Sequence, residues 1–140
     1  MATFLHHIAR ETADVQRLAK FYEEVLGFHR IDTPDFGREV VWLSLQSVVA
    51  LHIIRRDQNA NLPETPFNTQ ADTKKLDPQQ ITSGHHLSFA VSDYDAFVKK
   101  LNERGISTFE QIRQGGEIKQ VFFFDVDGNG LEVGNWPPPV

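Results

Sequence analysis

His6-His7-Ile8, near the N-terminus, is answered by His85-His86-Leu87 in the second half of the chain. Setting His7 on His86, an offset of 79 residues, also sets Asp14 on Asp93, Leu18 on Phe97 and Lys20 on Lys99. The far ends agree within one residue, because Leu51-His52-Ile53 matches Leu131-Glu132-Val133 at an offset of 80. A fragment that recurs in this order predicts two copies of one module. Missing such a repeat would mis-assign the whole architecture.

Each copy has the same run of periodicities. Phe4 to Thr12 predicts a strand. Val15, Leu18, Phe21, Tyr22 and Val25 then recur at three and four residues, as one apolar face of a helix over 13–26. Asp14 suits the helix start, and Gly27 suits its left-handed stop. Phe28 to Ile31, Glu39 to Leu45 and Val48 to Arg55 predict three more strands, with a turn at Thr33-Pro34-Asp35-Phe36-Gly37. The second copy repeats the order with a strand at His85 to Ser92 and a helix at Tyr94 to Arg104 stopped by Gly105. Strands at Ile106 to Ile112, Lys119 to Asp125 and Leu131 to Trp136 follow. Gln114-Gly115-Gly116 and Asp127-Gly128-Asn129-Gly130 are the turns between them, the latter a strong hairpin signal. The expected fold is therefore α+β, with two βαβββ modules, each a four-stranded sheet covered by one helix. Residues 1–56 form the first module and 84–136 the second. Residues 57–83, rich in Asn, Gln, Asp, Thr and Pro, are expected to form a linker or lid loop in which Pro63, Pro66 and Pro78 break regular structure.

Composition narrows the function. The 140 residues are one domain's worth of chain, and 40% hydrophobic with 24% charged residues is ordinary for a globular protein. A net charge of −5 without basic runs speaks against nucleic-acid binding. There is no Cys, which excludes disulfides, thiolate metal sites and Cys nucleophiles. No apolar stretch approaches the roughly 20 residues of a membrane span, and the N-terminus shows no signal peptide, so a cytoplasmic protein is expected.

Residues two apart on a strand share a face. If Leu87, Phe89 and Val91 pack on the helix, His86 lies on the opposite, open face, and the repeat puts His7 in the equivalent place. The same alternation turns Glu132, between Leu131 and Val133, and His52, between Leu51 and Ile53, to that face. His6 and His85 are expected on the other face. Two imidazoles and one carboxylate make a donor set suited to Fe, Mn, Ni or Zn as a divalent ion, with positions left for water and substrate. His7, His86 and Glu132 are thus the candidate metal ligands. His52 is a candidate fourth donor or proton carrier, and Glu11, on the face of His7, a candidate general base. Trp42, Phe122 and Phe124 are read as core residues. Arg10 has no account from the pattern.

Leu5-His6-His7-Ile8-Ala9, followed by Phe21-Tyr22-Glu23-Glu24-Val25-Leu26-Gly27-Phe28, resembles the opening of the vicinal oxygen chelate superfamily. That superfamily includes glyoxalase I, bleomycin-resistance proteins, methylmalonyl-CoA epimerase, fosfomycin-inactivating transferases and extradiol dioxygenases. The stretch from His85 to Asp93 resembles the start of its second module, and Phe123 to Val133 its closing hairpin. The family's ligand pattern falls on His7, His86 and Glu132. Glyoxalase I itself usually has a carboxylate where this chain has His52. The extradiol dioxygenases are usually longer. The resemblance implies a metal-dependent enzyme, of isomerase, lyase, epimerase or transferase type, acting on a small oxygenated substrate and assembling as a homodimer. The alternative within the family is a metal-free small-molecule binding protein of the bleomycin-resistance kind.

Overall fold

The computed structural model describes residues 2–59 and 75–137, and the chain divides into two compact units, Met1–Thr69 and Gln70–Val140. Each unit carries one βαβββ module. The first contains β1 (His7–Thr12), α1 (Val15–Leu26), β2 (His29–Ile31), β3 (Val40–Leu45) and β4 (Val49–Arg55). The second contains β5 (Leu87–Ala90), α2 (Tyr94–Glu103), β6 (Phe109–Arg113), β7 (Ile118–Phe124) and β8 (Gly130–Gly134).

The sheets have the same topology. The strand order is β1-β4-β3-β2 in the first and β5-β8-β7-β6 in the second. In each, the first strand runs parallel to the last, and the remaining pairs are antiparallel. A parallel neighbour requires a crossover. Here it is the rest of the module, helix included, which lays the helix on one face and leaves the other face uncovered by it.

Both helices begin at an aspartate in matching places. Asp14 Oδ1 accepts the Arg17 amide at 3.1 Å, and Asp93 Oδ1 accepts the Ala96 amide at 3.0 Å. Each carboxylate satisfies an amide that the first helical turn leaves without a partner. Gly27 ends α1 in the left-handed region, φ 79°. Val15, Leu18, Ala19, Tyr22 and Val25 are the buried stripe of α1. Beneath it, alternate positions of β3 and β4 are closed to solvent, namely Val41, Leu43, Leu51 and Ile53. In the second unit Tyr94, Phe97, Val98 and Leu101 are buried on α2, with Phe97 6.0 Å from Phe123 between ring centroids. Val121, Phe123, Leu131 and Val133 complete that core.

Three local expectations change. Pro78 starts a 3-10 helix, Pro78–Ser83, instead of breaking structure. Asp77 caps it through the Gln79 amide at 3.0 Å, and a proline at the first helical position gives up only an amide that has no helical partner. Ile81 of this segment is buried, and the segment rests on β7 and β8. Of the stretch expected as a linker, residues 60–74, with Pro63 and Pro66, lie outside the described residues. The 125–130 turn is wider than a two-residue hairpin. Asp125 Oδ1 accepts the amides of Asp127 and Asn129, both at 2.9 Å, and only Gly128 takes positive φ. Finally, His86 stands just before β5 and not inside it.

Among the described residues, no helix is long and apolar enough to cross a membrane.

Candidate functional site

In the second unit, the uncovered face of the sheet holds a buried carboxylate. Glu132 lies in the middle of β8, opposite Ser88 on β5 and Phe122 on β7, and is only 5% exposed. Its two oxygens are held separately. Ser88 Oγ donates to Oε2 in a short hydrogen bond, and Gln120 Nε2 donates to Oε1 at 2.7 Å. A carboxylate gripped at both oxygens cannot rotate, and each oxygen keeps a lone pair for a further donor or cation.

His86 approaches the same carboxylate. Its Nε2 is 4.0 Å from Glu132 Oε2, and its ring meets Phe122 edge-on at 5.7 Å. On the far side of the imidazole, Nδ1 lies 3.0 Å from the carbonyl oxygen of Gly84. A carbonyl only accepts, so Nδ1 must donate. In the neutral ring that leaves Nε2 with its lone pair, turned to the carboxylate. The expectation that His86 and Glu132 share one face holds. Ser88 and Gln120 were missed. The signal for them was available in principle, since both alternate onto this face and flank Glu132 across the two strand pairs.

In the first unit, three aromatic rings stack on the uncovered face. His52 lies between Trp42, 4.3 Å away with planes 4° apart, and His7, 3.9 Å away with planes 14° apart. Trp42 and His52 face each other directly across the β3–β4 pair. Burial in this stack lowers the His52 pKa below its ordinary value, with smaller contributions from the charges of His7 and His6. Burial therefore favours the neutral form of His52. Trp42, expected as core, is half-buried and lines an open pocket with Phe36, Arg38, Val40, His52 and Ile54. Phe36 and Arg38 had no place in the sequence reading because they lie in the turn before β3, where no periodicity marks a face.

His6 does not turn away from His7. It precedes β1, so strand alternation does not bind it, and its Nδ1 lies 3.0 Å from His7 Nδ1. Glu11 is engaged by Arg56, whose Nε donates to its Oε1 at 3.2 Å. Arg10 sits half-buried on the helix side of β1, with an Nε that finds no hydrogen-bond partner among the described residues. Among the described residues, no group of three or more His, Asp or Glu side chains is placed to hold a metal ion.

Comparison with known proteins agrees with the repeated module. The chain is 28% identical over 136 residues to Glyoxylase I 4 of Arabidopsis thaliana, covering 95% of this chain and 71% of that protein. It is 27% identical over 125 residues to the human mitochondrial methylmalonyl-CoA epimerase, covering 85% of this chain and 64% of that one. Among solved structures, the fold matches a point mutant of the fosfomycin resistance protein FosX of Listeria monocytogenes, complexed with Mn(II) and 1S,2S-dihydroxypropylphosphonic acid. That match has a TM-score of 0.66 at 18% identity and covers 98% of this chain and 93% of FosX. The family model of the Glyoxalase/Bleomycin resistance protein/Dioxygenase superfamily matches residues 4–133, nearly the whole chain, and the protein belongs to that superfamily.

Proposed function

We propose that this chain is a divalent-metal-dependent enzyme acting on a small oxygenated substrate, with His86 and Glu132 as metal ligands. The observation that carries this reading is the pairing of His86 with Glu132. With Nδ1 committed to the Gly84 carbonyl, Nε2 is the ring nitrogen turned toward a carboxylate that only accepts, 4.0 Å away. Two such groups repel each other until a proton or a cation lies between them. Nitrogen and oxygen donors without sulfur fit a borderline or hard divalent ion. The carbonyl behind the imidazole and the donors behind the carboxylate are the supports that orient metal ligands. The Mn(II) complex of FosX and the activities named for the glyoxylase and the epimerase are consistent with this choice.

Once bound, a divalent ion would act as a Lewis acid, stabilising negative charge on a substrate oxygen during isomerisation, epimerisation or addition. The chain's own residues supply the rest. Ser88 and Gln120 hold Glu132 in one orientation, and Gly84 fixes the tautomer of His86. His52, whose burial favours the neutral form, is the candidate proton carrier. Glu11 was the other candidate, and its pairing with Arg56 favours a role in holding the end of β1.

Metal analysis of protein purified without chelator tests the assignment. A near-stoichiometric divalent ion in the wild type, lost in His86→Ala, is the expected result. Metal content unchanged by that substitution overturns it. The competing reading, a metal-free binding protein, expects no stoichiometric metal and thermal stabilisation by a ligand without turnover.

A further inference from the structure

The uncovered face of the first unit carries a pocket whose chemistry names a ligand class. It measures about 480 Å³. That lies within the roughly 300–1,000 Å³ typical of small-molecule sites. Its floor is two cross-strand pairs, Val40 with Ile54 and Trp42 with His52. These are the alternate positions to the buried Val41, Leu43, Leu51 and Ile53, so strand periodicity sends them to this face. The wall is the turn before β3, which carries Phe36 and Arg38. Phe36 lies 5.7 Å from Trp42 between ring centroids, tilted by 38°.

The turn is held in place. Asp35 Oδ1 accepts the Gly37 amide at 2.8 Å, and Gly37 takes φ +74°, a conformation suited to glycine. Thr33 Oγ1 accepts the Trp42 amide at 3.0 Å and ties the turn to β3. Phe36 is 54% exposed, an apolar ring left facing solvent. Arg38 stands beside it, and among the described residues no hydrogen bond or ion pair engages it. The neighbouring Glu39 is taken by Gln16 and Arg55. An apolar, aromatic-walled pocket with one uncommitted guanidinium at its rim is complementary to a flat apolar body that ends in an anion.

We infer that this pocket binds an aromatic carboxylate, its ring against Phe36 and Trp42 and its carboxylate on Arg38. Calling the occupant a substrate rests on the function proposed above. Binding itself needs no metal, since neither Arg38 nor the aromatic wall is a candidate ligand.

Calorimetric titration of protein in excess EDTA with 2-naphthylacetate tests the inference, and the metal content read separately keeps the two proposals apart. Saturable binding is expected. Arg38→Gln, at an exposed position where folding is safe, should weaken it about tenfold, the effect of losing a charge-assisted hydrogen bond. Neutral 2-naphthylacetamide should lose a similar factor on the wild type and be indifferent to the substitution. Octanoate, an anion without a ring, should bind more weakly, and Phe36→Ala should weaken the naphthyl ligand but not octanoate. No saturable binding, equal affinity for acid and amide, or indifference to both substitutions overturns the proposal.

Discussion

Ser88 and Glu132 lie opposite one another in the parallel β5–β8 pair, and the serine hydroxyl donates to the carboxylate. With Gln120 donating to the other oxygen, a buried acid is held by two donors. Glu132→Gln turns one acceptor into an amide donor facing Gln120 or Ser88. A loss of about 1–3 kcal/mol is expected in urea denaturation of metal-free protein, because charge-assisted hydrogen bonds are lost and Ser88 or Gln120 must turn its donor away. Equal stability of the two proteins would mean that the donors turn away freely and that Glu132 is not fixed.

Ser88→Ala is the milder change. It leaves the carboxylate in place with one oxygen unsupported. Under the proposed function, divalent-metal affinity falls by about 10–100-fold, the usual effect of removing a residue that orients a ligand. Competition with a chromogenic chelator reads this out, and unchanged affinity would detach Ser88 from the site.

Glu11 and Arg56 are a half-buried ion pair, with side-chain exposures of 26% and 16%. Glu11→Ala should cost about 1–2 kcal/mol, between the values for exposed and buried pairs. A Glu11 acting as general base would behave in the opposite way, with little change in denaturation midpoint and a large loss of turnover.

Much of this was legible in the sequence, because two periodicities and their repetition carry the fold. The spacing of Val15, Leu18, Tyr22 and Val25, and of Tyr94, Phe97, Val98 and Leu101, foretold the buried helix faces. Alternation around Glu132 and His52 foretold which side chains leave the core. What was illegible depends on positions outside a period. His6 precedes its strand and turns back on His7. Phe36 and Arg38 occupy a turn whose direction is set by Asp35 and Thr33. Pro78 reads as a breaker until Asp77 is seen to cap the segment it opens. Asn129 reads as a hairpin residue until Asp125 is seen to collect the turn's amides.

Tyr94 offers a test by pH. Its hydroxyl donates to Glu110 Oε1 at 2.8 Å. Burial pushes its pKa well above the ordinary value of 10.0, and the hydrogen bond and charge of Glu110, with the charge of Asp95, add to the rise. The folded chain therefore keeps a proton that the unfolded chain releases above pH 10. Stability from this group is complete below pH 10 and is lost as pH rises beyond it. Tyr94→Phe should cost about 1 kcal/mol at neutral pH, for the hydrogen bond, and should flatten the alkaline decline. An alkaline limb as steep as that of the wild type would place its origin elsewhere.

Gly130 opens β8 where the 3-10 helix and the approach to β5 crowd it. A Cβ there would lie 2.9 Å from Ile81 Cγ2 and 3.1 Å from the His85 carbonyl oxygen. Ile81 is buried and the carbonyl is backbone, so neither yields as a flexible side-chain end would. Gly130→Ala should therefore destabilise the second unit by about 1–3 kcal/mol, the range for overpacking a closed site. Relief by moving the His85 carbonyl also displaces His86, the next residue, and weakens its approach to Glu132. The substitution should shift the His86 ring resonances while leaving those of His52, on the uncovered face of the other unit, in place. Wild-type thermal stability with unmoved His86 resonances would show that the 3-10 helix gives way instead, and that its packing against β8 does not set the position of the histidine.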